Sequence, residues 1–239
     1  DITEGPPERW GIGEYYDPGP TAPDKTYCKR GGFLPDIDFN PMEFGLPPNI
    51  LEITDASQLL SLVVAKAAMN DAGYGEEVDF NRGKTGVVLG VGGGQKLITP
   101  LTSRLQYPVW DRVLESSGVA VADRAAIIEK MKKAYIRWEE NSFPGMLGNV
   151  ISGRVANRLD LGGMNCVVDA ACAASLAAVK TAVTELTDHR ADMMITGGVH
   201  THNSIFLYFH FSQPPHFSRT YVILPFAPFS SALLLRYAV

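Results

Sequence analysis

The chain has 239 residues, a formal net charge of −5, 46% apolar and 20% charged residues. That is the make-up of an ordinary globular protein, long enough for one sizeable core or two small ones. The acidic balance gives no reason to expect a nucleic-acid partner, and no apolar run is long enough to span a bilayer: Pro225 and Pro228 break the longest late one, "TYVILPFAPFSSALLL".

Residues 1–50 hold nine of the 16 prolines, which predicts an irregular arm with turns at "DPGP" and "GLPPN". Its start, "DITEGPPERW", has neither the basic beginning nor the apolar centre of a signal peptide. "DASQLLSLVVAKAAMNDAGY" (55–74) predicts a helix: Asp55 or Ser57 can cap it, Leu59, Leu60, Val63, Val64 and Ala67 recur at helical spacing, and Gly73 ends it. "KTGVVLGVGGG" (84–94) predicts a buried strand running into a loop. Its glycines suggest a nucleotide-binding turn, but the G-x-G-x-x-G spacing fails at Gln95. Residues 121–141 predict an amphipathic helix with its charges on one face. Residues 145–163 predict another helix, closed by "LDLGG". "MNCVVDA" is an apolar strand, "AASLAAVKTAVTELTDHRA" a helix, and "DMMITGGV" a second buried strand. Continuous apolar strands alternating with helices predict a mostly parallel sheet covered on both faces, an α/β fold.

Three cysteines, Cys28, Cys166 and Cys172, form an odd and sparse set. They argue against a disulfide scaffold and for a reducing compartment, so the chain reads as cytoplasmic. Cys172 falls where the strand hands over to the Ala-rich helix. Unpaired N–H groups and the positive end of the helix dipole converge there, favour thiolate over thiol, and could stabilise an oxyanion on a thioester carbonyl. Ala170, Ala171, Ala173 and Ala174 leave a substrate room to approach. A small buried cysteine that simply packs is the other reading of the same pattern, and the better one for Cys166 and Cys28.

"DAACAAS" (169–175) resembles the active-site signature of β-ketoacyl synthases, the condensing enzymes of fatty acid and polyketide synthesis. "YCKRGGFLPDIDFNPMEFGLPPN" (27–49), "ITDASQLLSLVVAKAAMNDAGY" (53–74), "GNVISGRVANRLDLGGMNCVVDAACAASLAAV" (148–179) and "MMITGGV" resemble further family segments, in order and spacing. The wording of the first two is similar to ketosynthase domains of bacterial polyunsaturated fatty acid synthases. The resemblance implies a thiolase-like layered α/β/α/β/α fold, of which about the N-terminal half is present. It divides the chain into an irregular arm (1–50), an α/β half with the nucleophile (51–198) and a divergent tail (199–239). It implies an acyltransferase in which Cys172 accepts an acyl chain from an acyl carrier protein, ready for a decarboxylative condensation with a malonyl unit. Leu147 lies near the position that lines the acyl pocket in relatives. No cofactor is implied beyond the phosphopantetheine arm of the carrier, and the intact protein is expected to be a homodimer or part of a larger synthase.

The chain also departs from the family. Two histidines that promote decarboxylation lie in "HGTGT"-type and "GNIGH"-type motifs, and neither motif occurs here. The expectation is an N-terminal fragment, inactive alone and prone to associate through apolar surface that a second half would cover. None of His189, His200, His202, His210 and His216 occupies a family motif. The His200–His202 pair lacks an evident third ligand, so no metal site is expected. After Asp192 the last 47 residues contain no acidic residue, where the average density predicts about five, and they hold nine of the 23 aromatics. "PFAPFSSA" (225–232) stands where relatives resemble "PFDADSDG". Two other functions fit parts of the pattern. One is an inactive fragment or a chain-length-factor-like partner, favoured by the missing motifs and disfavoured by the retained cysteine. The other is a cysteine hydrolase, which needs a nearby histidine base. His189, about 17 residues and roughly 25 Å along the helix, is too far.

Overall fold

The computed structural model describes residues 2–6, 11–19, 22–75, 77–92, 96–201 and 203–212. The expectations for Gly94 and Gln95, His202, His216 and the 225–232 segment lie outside the described residues. In chain order the strands and α-helices are β1 (Ile2–Glu4), α1 (Ile12–Tyr15), β2 (Arg30–Gly32), α2 (Ala56–Asp71), β3 (Thr85–Val91), α3 (Ile98–Arg104), α4 (Tyr107–Ser116), α5 (Val121–Lys133), α6 (Ser142–Gly145), α7 (Asn149–Arg158), β4 (Asn165–Val168), α8 (Ala174–Thr187), β5 (Met193–Val199) and α9 (Ile205–Ser212). The chain divides into two compact units, residues up to 38 with those from 202 onward, and residues 39–201.

The larger unit is built on a parallel sheet of order β4-β3-β5. Val87, Leu89 and Val91 of β3 pack with Leu62, Ala65 and Met69 of α2 and with Ile151, Val155 and Ala156 of α7. Removing each large aliphatic side chain here from water contributes about 1.5–3 kcal/mol. Alternation along the strand sends Val88 and Gly90 to the opposite side, where α8 lies. The α/β expectation is met, with helices on both faces. The two strands predicted as buried behave differently, however. β3 is buried along its whole length, while β5 has no buried residue, because among the described residues only β3 has a strand on each side.

Helix α2 forms where predicted, but its buried face is Ser57, Gln58, Ser61, Leu62, Ala65 and Met69 rather than the predicted stripe, of which Leu59, Leu60 and Val63 are half-buried and Val64 and Ala67 exposed. Asp55 caps it, accepting from the Ser57 N–H at 3.0 Å, and Gly73 follows its end at φ +84°. The helix predicted to 141 stops at Lys133, because Arg104 of α3 donates to the carbonyls of Lys132 and Tyr135 and satisfies the frayed end. α3 and α4 arise in a stretch with no predicted element; α4 carries an apolar stripe of Tyr107, Trp110, Val113 and Leu114, yet none of its residues is buried. α7 is closed by Asp160, at φ 55°, rather than by the glycines of "LDLGG", with Leu161 N–H bonded to the Ala156 carbonyl. Gly163 serves close packing instead, since a Cβ there would lie 2.6 Å from Thr85 backbone.

Helix α8 reverses the usual burial order. Ala174, Ala178 and Ala182 face the sheet, while Leu176 (74% exposed), Val179, Val183 and Leu186 face outward. Glycines on the strands explain this. A Cβ on Gly90 would sit 2.4 Å from the Ala174 carbonyl carbon, and one on Gly198 would sit 2.8 Å from the Ser175 Cβ. Gly90 and Gly198, paired in register, form a trough that admits only a small-residue face.

The smaller unit corrects the expectation of an irregular arm. β1 and β2 form an antiparallel ladder, invisible locally because the partners lie 26 to 30 residues apart. Around it, buried Tyr208 of α9 donates to the Arg30 carbonyl at 3.2 Å, and Thr26 Oγ1 and Ser212 Oγ share a 2.8 Å hydrogen bond.

Candidate functional site

Cys172 lies in a single 3-10 turn, Ala171–Ala173, that joins β4 to α8. The chain reverses sharply there. Ala170 has φ −133° and ψ 36°, and Ala171 takes the left-handed conformation at φ 48°. A residue with a Cβ in that region is strained by about 1–2 kcal/mol. The turn is held by Asp169, whose Oδ1 accepts from the Ala171 N–H at 3.0 Å, and by the Ala173 N–H donating to the Ala170 carbonyl at 3.0 Å. This geometry follows from the sequence: an aspartate that folds back on the backbone, then alanines small enough for a tight turn. Cys172 is exposed at the turn, two residues before α8 begins. It is neither sealed among apolar side chains nor placed in mid-helix.

The other two cysteines sit differently. Cys28 is buried in the smaller unit, and burial pushes its thiol above the usual range. Cys166 is half-buried in β4, where burial, then the Glu185 charge, raises its thiol too. Both favour the protonated, unreactive form. Among the described residues no three His, Cys, Asp or Glu side chains are placed to hold a metal ion. His189 ends α8 at φ 56°, at the far end of the helix from Cys172.

Leu147 is half-buried in the turn between α6 and α7. The end of α7 leads through Gly162 and Gly163, bonded to the Arg82 and Thr85 carbonyls, to the start of the sheet. Its beginning, and Leu147 with it, therefore points toward the carboxyl ends of the strands. Cys172 follows the carboxyl end of β4, the end of the sheet where open α/β proteins bind ligands.

A buried polar hub supports the Leu147 turn, and sequence reasoning missed it. Gln58 of α2 is 0% exposed; its Nε2 donates to the carbonyls of Pro144 (2.9 Å), Gly145 (3.1 Å) and Leu147 (3.2 Å). Its Oε1 accepts from Arg154 Nε at 2.9 Å. Burial, then the charge of Arg158, draws the Arg154 guanidinium below its usual value. The Asp55 N–H donates to the Gly145 carbonyl at 2.8 Å, and Asp55 Oδ2 accepts from the Leu97 N–H at 3.0 Å. No local signal marked it: Gln58 lies outside the predicted apolar stripe, on a face that also buries Ser57 and Ser61.

The family model "Beta-ketoacyl synthase, N-terminal domain" matches residues 1–234. The chain is 47% identical over 217 residues to a polyunsaturated fatty acid synthase component of Thraustochytrium sp., covering 91% of this chain and 8% of that protein. It is 32% identical over 202 residues to a phthioceranic/hydroxyphthioceranic acid synthase of Mycobacterium tuberculosis, covering 83% and 8%. Among solved structures it is similar to a ketosynthase from module 6 of the bacillaene synthase of Bacillus subtilis 168, at TM-score 0.63 and 26% identity, covering 89% of this chain and 29% of that one. The PfaC keto synthase–chain length factor shares the fold at TM-score 0.71 and 24% identity, covering 92% and 23%. The chain thus spans less than a tenth of these curated relatives and under a third of these solved chains. The model match over almost the whole sequence, the layered parallel sheet and the cysteine-bearing turn agree: the chain belongs to the β-ketoacyl synthase N-terminal domain family.

Proposed function

We propose that this chain carries the acyl-accepting centre of a β-ketoacyl synthase serving polyunsaturated fatty acid or polyketide synthesis. One observation carries the reading: Cys172 is exposed on a strained turn at the carboxyl end of β4, immediately before α8. The Cys172 thiol loses its proton to solvent, and Sγ attacks the carbonyl of an acyl thioester on the phosphopantetheine arm of an acyl carrier protein. The oxyanion forms near the N-terminal end of α8, where the positive end of the helix dipole favours negative charge. The carbon–sulfur bond to pantetheine breaks, the pantetheine sulfur takes up a proton, and the acyl group stays on Cys172. Leu147 contributes to the wall along which the acyl chain lies. The second stage needs groups that promote loss of carbon dioxide from malonyl thioester and stabilise the enolate. None of the five histidines sits in the family's motifs for that step, so only the first stage is assigned to this chain.

The test is acylation of the full chain with butyryl-pantetheine thioester, followed by intact and peptide mass spectrometry. A single acyl adduct on Cys172, absent from Cys172→Ser, is expected. An adduct that maps to Cys28 or Cys166 instead refutes the assignment.

A further inference from the structure

We propose that Gln58 is a positioning residue for acyl-chain selection, acting through the turn that carries Leu147. The inference rests on the acyl-acceptor reading above and adds a residue of α2 that touches neither Cys172 nor, on that reading, the substrate.

A fully buried amide is costly unless its polar atoms are used. Gln58 uses both ends. Its nitrogen serves three carbonyls within four residues, Pro144, Gly145 and Leu147. Two of these carbonyls end the four-residue helix α6, where that of Pro144 also accepts from the Leu147 N–H and that of Gly145 from the Asp55 N–H, and the third is the backbone of Leu147 itself. Its oxygen holds Arg154, on the helix that starts two residues after Leu147. The turn is thus clamped to α2 from both of its sides. Gly145 presses it down: a Cβ there would lie 1.7 Å from the Ile53 carbonyl oxygen, and the Asp55 N–H holds the Gly145 carbonyl at 2.8 Å. With so little slack, loss of the amide lets the turn move and takes Leu147 with it. Long acyl chains draw on more of a preformed wall than short ones, so the damage falls selectively on long chains.

The experiment compares first-order acylation of Cys172 by decanoyl- and butyryl-pantetheine thioesters in the full chain, in Gln58→Met, which keeps the volume and removes every hydrogen bond, and in Leu147→Ala. The decanoyl-to-butyryl rate ratio is expected to fall by threefold or more in both variants, with butyryl acylation retained. A fall in Leu147→Ala with less than a threefold change in Gln58→Met overturns the proposal and leaves the acyl-acceptor reading intact. Less than a threefold change in both overturns it as well. No acylation of Cys172 in the unsubstituted chain overturns the acyl-acceptor reading and this proposal together. Should Gln58→Met not fold, Arg154→Met takes its place: it frees one side of the clamp, and the same threefold fall or its absence decides.

Discussion

Gly90→Ala is the substitution by which the fold most directly tests the cysteine turn. The added Cβ would lie 2.4 Å from the Ala174 carbonyl carbon and 2.5 Å from both the Ala174 oxygen and the Ser175 nitrogen. All three are backbone atoms, so no rotamer change relieves them. Ordinary contact begins near 3.4 Å, and the first turn of α8 must therefore withdraw by about 1 Å. Overpacking of this kind costs about 1–3 kcal/mol. Cys172 precedes that turn by two residues and moves with it, and a displacement of about 1 Å at a reacting group costs on the order of a hundredfold in rate. Gly197→Ala is the matched control. It is the neighbour of Gly198 on β5, and a Cβ there meets nothing within 4 Å. Urea denaturation is expected to place Gly90→Ala about 2 kcal/mol below the parent chain, with acylation of Cys172 slowed at least tenfold. Gly197→Ala should match the parent in both. Parent-like stability and rate in Gly90→Ala, or equal damage in Gly197→Ala, would refute the close-approach argument.

Two further outcomes follow, one from the Cys172 turn and one from the buried thiol of the smaller unit. Asp169→Ala removes the acceptor of the Ala171 N–H and should cost about 1 kcal/mol, with slower acylation of Cys172; Asp169→Asn keeps the acceptor and should restore both, and equal behaviour of the two variants would count against the turn's role. Burial raises the Cys28 thiol in the folded chain, so the native state holds its proton to higher pH than the unfolded state does. Its contribution to stability is complete below the ordinary thiol value, about pH 8.5, and is lost as pH rises through the raised one. Unfolding curves between about pH 7 and pH 10 should therefore show a steeper alkaline loss in the parent chain than in Cys28→Val, and identical slopes would contradict this.

Much of the site was legible without a fold. Apolar spacing marks α2, its Asp55 cap is written beside it, and the strand-to-helix change locates Cys172 at the turn, because each of these depends on residues a few positions apart. The motif order from 27 to 199 pointed to the family for the same reason: it is a property of the letters in series. What could not be read locally was anything settled by a partner far along the chain. Whether a strand is buried depends on its place in the β4-β3-β5 order rather than on its own apolar run. Which face of α8 turns inward depends on Gly90 and Gly198, from strands on either side of it in sequence, and they admit alanines where hydrophobicity alone would choose leucine and valine. Gln58 reads as an ordinary polar residue beside a helical stripe until carbonyls 86 to 89 residues away come to lie against it. Side-chain pattern and turn chemistry are short-range and speak through the sequence. Close approach and the satisfaction of buried polar groups are long-range, and they exist only once the chain has packed.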